Sequence, residues 1–316
     1  MDRFDGVARD EGDAAARAPL TGEPDHLPQR LWWVLAVLTL AWGFNWTALK
    51  VALSEVPPWT FRSLCLGLGS AVLFAALRAG GQPLAVPRGQ WGRLALLAFL
   101  NITCWNMLIA FGLMLIPSGR ASILAYTMPI WAIPLSVWLL GERITRRRLA
   151  GLALGMVALA LLLGENVVGL GAAPVGSLMV LGAAMTWALG TVLQKRMPVR
   201  MPLGAYTAWI MLLGGVPVFV GMVLLEDVRA LGGVSLMPAL GVAYNVFVAF
   251  AFAHWAWIKL ATSVPVSVFS LSMLVIPVIG VLSGVVFLGE RPRWNELAAL
   301  VCVLGALATV IRRQRP

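Results

Sequence analysis

Polar side chains that could take part in chemistry are few in this chain, and the clearest group lies within the apolar stretch AWGFNWTALK. Trp42, Asn45 and Trp46 recur there at spacings of three and four residues, which places them on one helix face. An amide in apolar surroundings needs a partner, so Asn45 either bonds across to a neighbouring helix or lines a wet cavity. Both roles are open. The second would be ligand binding by an amide between aromatic rings.

Other apolar stretches carry further aromatic, amide, hydroxyl or imidazole side chains that could line the same cavity. We predict substrate contacts from Trp105, Asn106, Tyr126, Trp187, His254 and Ser270. His254 could carry a proton, or it could be a neutral ring bonded to one neighbour. At an offset of 148 residues it aligns with Asn106, which cannot titrate, and this slightly favours the structural role.

Arg62 lies about one turn inside an apolar stretch that begins at VPPWTFRSL. A long basic side chain there can extend outward to water, pair with Glu55, or hold an anionic group at a gate. Of these alternatives, the sequence slightly favours a structural ion pair between Glu55 and Arg62.

Motifs typical of enzyme active sites are missing from the apolar stretches. No aspartate lies between Asp25 and Asp227, and the chain has neither a G-x-S-x-G nor an H-E-x-x-H pattern. The three cysteines are far apart in sequence and form no metal-binding pair. We therefore expect no enzyme activity, no catalytic residues, no metal and no cofactor.

The elements that must position these residues are membrane helices. Hydrophobic residues make up 60% of the 316 residues, and the mean hydropathy is +0.86. A spanning helix needs ~20 mainly apolar residues, and ten such stretches occur: 31–53, 59–77, 94–116, 118–140, 149–164, 174–194, 203–225, 236–259, 265–288 and 294–311. This predicts an all-α integral membrane protein whose surroundings are the lipid bilayer.

Charge follows the ends of these stretches and predicts their orientation. The net charge is +10, but the basic residues flank apolar runs, which indicates membrane topology rather than nucleic-acid binding. With the N-terminus inside, 15 Lys and Arg fall on the inner side, not counting the tail, and six fall on the outer side. We expect a multi-pass protein of the bacterial inner membrane with both termini cytoplasmic, and residues 1–29 as a disordered cytosolic tail.

An internal repeat divides the chain. The sequence LGER ends two apolar stretches, with Gly141 and Gly289 148 residues apart, and Pro129 and Pro277 keep the same offset. The repeats would cover residues 30–164 and 174–311, five helices each. Because five is odd, the second repeat should be inverted, and an inverted repeat builds a site near the bilayer midplane that alternates its access.

These motifs resemble the EamA-type family of the drug/metabolite transporter superfamily. The resemblance rests on W-G-F-N followed by Lys50, on P-P-x-x-x-R at Pro57–Arg62, and on the two P…L-G-E-R helices. It implies ten helices, a central cavity, and export of amino acids or other small metabolites. Small multidrug-resistance relatives use a glutamate in the first helix, and this chain has none there.

We therefore predict an exporter of small metabolites, most simply amino acids or related amphipathic compounds, which needs a small-molecule substrate but no oligomer. The rivals are a nucleotide-sugar-type antiporter and a non-transporting membrane scaffold. The first would need cations deep in the cavity, for which Arg62 and Lys259 are the candidates. The second would need no polar groups at the midplane.

Overall fold

The structure is a computed structural model that describes residues 29–164, 172–227, 233–263 and 266–311. This part of the chain is built of helices and connecting turns. Its ten helices are α1 (Gln29–Ala52), α2 (Pro58–Ala79), α3 (Trp91–Leu115), α4 (Ser118–Leu140), α5 (Arg146–Gly164), α6 (Ala172–Arg196), α7 (Leu203–Leu225), α8 (Leu236–Ala243 continued by Tyr244–Phe252 and Ala253–Ser263), α9 (Val266–Leu288) and α10 (Trp294–Ile311). Each coincides with one of the ten apolar stretches. The predicted tail lies outside the described residues, apart from Gln29.

Seven of these helices are long and apolar enough to cross a membrane, and shorter apolar helices cover Leu149–Leu162, Val275–Leu288 and Trp294–Thr309. Large apolar side chains such as Trp138, Leu224 and Val286 lie exposed on the outside of the bundle. Such a surface is stable against lipid tails and costly against water.

The repeated LGER sequence ends α4 and α9 in the same way. Gly141 and Gly289 adopt φ values of 67° and 65°, a left-handed conformation that residues with a Cβ avoid. The next N–H turns back to a carbonyl six residues earlier, Glu142 to Ser136 at 3.4 Å and Glu290 to Gly284 at 3.1 Å. The repeat therefore encodes a helix C-cap that satisfies otherwise unpaired carbonyl groups.

Helices of the first half, α1–α5, pack between those of the second half, α6–α10. The pairs with extensive contact include α1 with α9 and α4 with α6, α2 with α8 and α3 with α7, α2 with α7, and α5 with α10. If each helix is replaced by its counterpart in the other half, α1 by α6, α2 by α7 and so on, the set of pairs stays the same. Packing of α5 on α10 leaves both at the periphery, as their nearly unbroken apolar sequences predict.

Segments of π-helix interrupt α3 at Phe99–Cys104 and α8 at Tyr244–Phe252. The wider turn shifts the hydrogen-bond pattern by one residue and often occurs at functional sites. Trp105 and Asn106 follow the first segment directly, and His254 follows the second by two residues. The interruptions therefore set the direction in which these predicted site residues point.

Candidate functional site

A cavity of ≈ 170 Å³ lies where helices of the two halves meet, with walls from α1, α2, α3, α4, α6 and α8. Eight of the nine predicted substrate residues line it: Trp42, Asn45, Trp46, Trp105, Asn106, Tyr126, Trp187 and His254. The ninth, Ser270, belongs to α9, and its side chain lies outside the described part of the structure. The spacing on α1 and the offset between the halves thus identified residues that come together in space.

The carbonyl of Ala249 organises one wall of the cavity. It accepts a hydrogen bond from Trp42 Nε1 at 3.3 Å, and His254 Nδ1 lies 3.2 Å from the same oxygen. Trp42 and His254 meet edge to face, with ring centroids 6.1 Å apart, and Phe250 stacks on His254 at 5.3 Å. His254 therefore has one carbonyl and two aromatic rings as neighbours, and its role stays a prediction.

Two asparagines in the cavity differ in how their amides are satisfied. Asn106 Nδ2 donates to the carbonyl of Ile102 at 2.9 Å, within its own helix. Asn45 makes no hydrogen bond to any residue that the structure describes, and its Oδ1 is buried. The bond across to a neighbouring helix, one of the two roles predicted for Asn45, therefore does not form here. A buried amide without a partner is costly unless water or a ligand supplies one.

The predicted ion pair between Glu55 and Arg62 does not form. Glu55 accepts hydrogen bonds from the backbone N–H and hydroxyl of Ser235, at 2.6 and 2.7 Å. These bonds hold the pKa of the Glu55 carboxyl below its usual value, because they stabilise the ionised form. Arg62 instead lines the cavity. The two side chains separate because Glu55 lies in the loop before α2, whereas Arg62 begins the second turn and points inward.

Two predicted cations have different surroundings. Lys259 lies exposed near the end of α8, where its Nζ stands 5.0 Å from the centroid of the Trp255 ring, and it is not among the cavity residues. Arg62 is 3% exposed. Among the described residues that line the cavity, none carries a carboxylate.

Three glutamates join the halves at one end of the bundle, here called the Glu290 face. Glu55 binds Ser235 at the start of α8. Glu226 accepts the N–H groups of Trp59 and Thr60 at the start of α2, at 3.0 and 2.7 Å. Glu290 accepts those of Ser118 and Gly119 at the start of α4, at 2.6 and 3.0 Å. Each contact satisfies free helix N–H groups and places an anion at the positive end of a helix dipole.

The opposite end of the bundle, here called the Glu142 face, has a different contact between the halves. Glu142 follows the end of α4 and forms an ion pair with Lys195 at the end of α6. The counterpart of Lys195 in the first half is Lys50, at the end of α1. Lys50 forms no such ion pair with a described residue, and its ammonium group donates to the carbonyls of Leu113 and Ile116 at the end of α3. The two LGER copies therefore lie at opposite ends of the bundle, separated by the length of α4, roughly 35 Å.

Sequence reasoning missed the roles of Glu226 and Glu290, because their partners are about 170 residues away in the chain. The prolines before α2 and α4 marked where free N–H groups would begin, but nothing local showed which carboxylate would reach them. Phe250 and Met128 also line the cavity without having been predicted.

A helical membrane bundle with an aromatic and amide-lined cavity between two groups of helices is an arrangement that small-molecule transporters use. Residues 31–164 and 174–312 both match the EamA-like transporter family. The chain belongs to this family and is a multi-pass membrane protein.

Similar proteins carry transporter names. An "Uncharacterized transporter YoaV" of Bacillus subtilis (strain 168) is 25% identical over 84% of this chain and 91% of its own length. A "Probable amino-acid metabolite efflux pump" of Escherichia coli (strain K12) is 26% identical over 87% and 92%. An "Aromatic amino acid exporter YddG" of Ancylobacter novellus is 30% identical over 48% and 54%.

The fold also resembles a solved crystal structure. It superimposes with a TM-score of 0.62 and 22% identity, and the match covers 90% of this chain and 97% of the other. At this identity the likeness concerns the fold alone.

Proposed function

We propose that this protein exports amino acids or related small amphipathic compounds across the bacterial inner membrane. The observation that carries the proposal is the cavity between the halves, in which the Asn45 amide bonds to no described residue and aromatic side chains form the walls. A zwitterion with an apolar side chain suits such a site, because the amide can bind its polar groups while the rings contact its apolar part.

The repeated features support transport by alternating access between two inverted five-helix repeats, residues 30–164 and 174–311. The LGER caps lie at opposite ends of the bundle, the π-helical segments recur in α3 and α8, and exchanging the halves preserves the packing pairs. Two similar halves in opposite orientation can adopt two related arrangements, each open to one side. The basic residues favour an orientation with both termini cytoplasmic and the Glu290 face outside.

The contacts between the halves suggest which state the structure represents. At the Glu290 face three carboxylates bind helix N-termini of the opposite half, whereas the Glu142 face has the Glu142–Lys195 ion pair, whose lysine is 68% exposed. Bonds to helix N-termini are geometrically demanding and must break when the halves separate. We infer that this conformation is closed on the Glu290 face and that these bonds break when the cavity opens there.

The names of the relatives support amino acids as substrates. A "Probable amino-acid metabolite efflux pump" and an "Aromatic amino acid exporter" are among the similar proteins. An inner-membrane exporter of this kind would need no cofactor, and its membership of a transporter family argues against enzyme activity.

Counterflow in proteoliposomes tests this function. Vesicles loaded with unlabelled tryptophan, leucine or threonine should accumulate the same labelled amino acid, for at least one of the three, faster than protein-free vesicles. Trp42→Ala should slow this exchange at least about tenfold, because the ring lines the site and bonds to Ala249. Trp33→Ala, on the exposed outside of the same helix, should exchange like the parent. Folded parent protein that exchanges none of the three would contradict the proposal.

A further inference from the structure

Arg62 is a buried cation that contacts no carboxylate of any residue that the structure describes. Its side chain is 3% exposed, it lines the cavity, and its Nε is buried with no hydrogen-bond partner. No other bond joins its guanidinium to the residues that the structure describes. Its closest compensation comes from aromatic rings, with Cζ 5.2 Å from the centroid of Phe61 and 5.9 Å from that of Phe250.

Burial of this guanidinium away from carboxylates is unfavourable. A charged side chain out of water loses its hydration, and contacts with ring faces replace only part of it. Arginine cannot escape by losing its proton, because its pKa is too high in water for the neutral form to be reached at ordinary pH. An anion that enters the cavity would replace the interactions with water that the guanidinium loses on burial.

We propose that Arg62 binds the carboxylate of the transported compound, so that the site selects carboxylate-bearing molecules, zwitterions or monoanions, against amines and amides of the same shape. This rests on the proposed function and specifies its substrate class. The planar guanidinium presents parallel N–H donors that match the two oxygens of a carboxylate.

The rest of the cavity agrees with one negative group on the substrate. No carboxylate lines it among the described residues, so an ammonium group meets uncharged polar groups such as the Asn45 and Asn106 amides, and the faces of aromatic rings such as Trp46. Those contacts are neutral and weaker than a charge pair. A substrate with an amine but no carboxylate would therefore bring a second positive charge next to Arg62, and the site should reject it.

Binding and exchange with matched ligands test the proposal. The probes are L-tryptophan, L-leucine and L-threonine, each with its amide. Two further probes are tryptamine, which has the amine but no carboxylate, and indole-3-propionate, which has the carboxylate but no amine. Compounds with a carboxylate, indole-3-propionate included, should raise the melting temperature of the detergent-purified protein, and the amides and tryptamine should not. In counterflow, the preference for an exchanged acid over its amide should be at least about 30-fold.

Two variants locate the effect. Arg62→Met keeps an unbranched chain and removes the charge, so it should lose the acid-over-amide preference and the carboxylate-induced rise in melting temperature. Without ligand it should melt at the same temperature as the parent or higher, because an unpaired buried charge is gone. Arg78→Met, on the exposed end of the same helix, should behave like the parent in every assay.

The outcomes separate the possible roles. If Arg62→Met melts well below the parent without ligand, the arginine is structural and the proposal is wrong. Equal handling of acids and amides by the parent would also overturn it, while leaving amino-acid export intact. Absence of exchange of any acid or amide would instead contradict the proposed function. A final arm titrates chloride into an isethionate buffer, and a chloride-induced stabilisation as large as that by tryptophan, lost in Arg62→Met, would assign the site to inorganic anions and overturn the proposal.

Discussion

Glu290 and Ser118 join the two halves of the bundle, with Glu290 Oε1 accepting the Ser118 N–H at 2.6 Å. Its other oxygen accepts the N–H of Gly119 at 3.0 Å, so the carboxylate caps the start of α4 from the end of α9. A Cβ on Gly119 would stand 3.2 Å from Val281 Cα, which shows how closely the two helices approach at this cap. In the proposed alternating-access cycle, opening of the bundle at this face would require the cap to break.

Replacing Glu290 should favour the state that is open at its face. Glu290→Ala removes a charge-assisted cap worth about 1–2 kcal/mol, which corresponds to a roughly 5- to 30-fold shift towards the open state. Spin labels at the exposed positions Ser54 and Arg291, on opposite halves of the same face, would report the change as an increased population of long distances.

Glu296→Gln is the matched control, because Glu296 lies on the same face but bonds to Arg293 of its own half. It should leave the distance distribution unchanged. An unchanged distribution in Glu290→Ala as well would show that the cap does not hold the face closed.

The two LGER ends should be reached from opposite sides of the membrane. Cysteines at the exposed positions Arg143 and Arg291, in a background without the native cysteines, keep Glu142 and Glu290 intact. A membrane-impermeant maleimide added to whole cells should label position 291, and it should reach position 143 only in inside-out vesicles. Labelling of both positions from one side would refute the inverted repeat.

Asn45 should matter for transport and not for folding. Asn45→Ala removes an amide that bonds to no described residue, so the free energy of unfolding should change by less than ~1 kcal/mol while exchange falls. Thr47→Ala, two residues along α1, breaks the 2.8 Å hydrogen bond from Thr47 to Ser283 of α9 outside the cavity. It should lower stability by about 0.5–1.5 kcal/mol and leave exchange per folded molecule normal. The reverse pattern would assign Asn45 to helix packing.

Glu55 should stabilise the folded protein at neutral pH and lose this effect in acid. The hydrogen bonds from Ser235 lower its pKa in the folded state, so the contribution is complete above the unfolded pKa of about 4.3 and is lost as pH falls through the folded pKa. The difference in melting temperature between the parent and Glu55→Gln should therefore be constant from about pH 5.5 to 8 and disappear in stronger acid. A difference that changes between pH 6 and 8 would contradict this cause.

Much of the fold could be predicted because membrane helices are local. Each of the ten helices coincides with an apolar stretch, since partition into lipid depends on ~20 consecutive side chains. The two LGER helix ends were also visible in the sequence, and the structure shows that a left-handed glycine closes each helix by bonds within six residues. Spacing on α1 and the offset between halves located most of the cavity, as Trp42, Asn45 and His254 illustrate.

What the sequence determined by itself is therefore the set of helices, where they end, and the fact that the two halves repeat. Tertiary structure alone decided the partners of the charged residues: Glu55 meets Ser235, Glu290 meets Ser118, and Arg62 turns into the cavity, where no described residue offers a carboxylate. The physical reason is that a helix forms from interactions within a few residues, whereas its rotation about its own axis is set by packing against distant helices. A change in this rotation moves a side chain from lipid to a neighbouring helix or into the cavity. No local pattern of residues specifies the rotation angle of the helix.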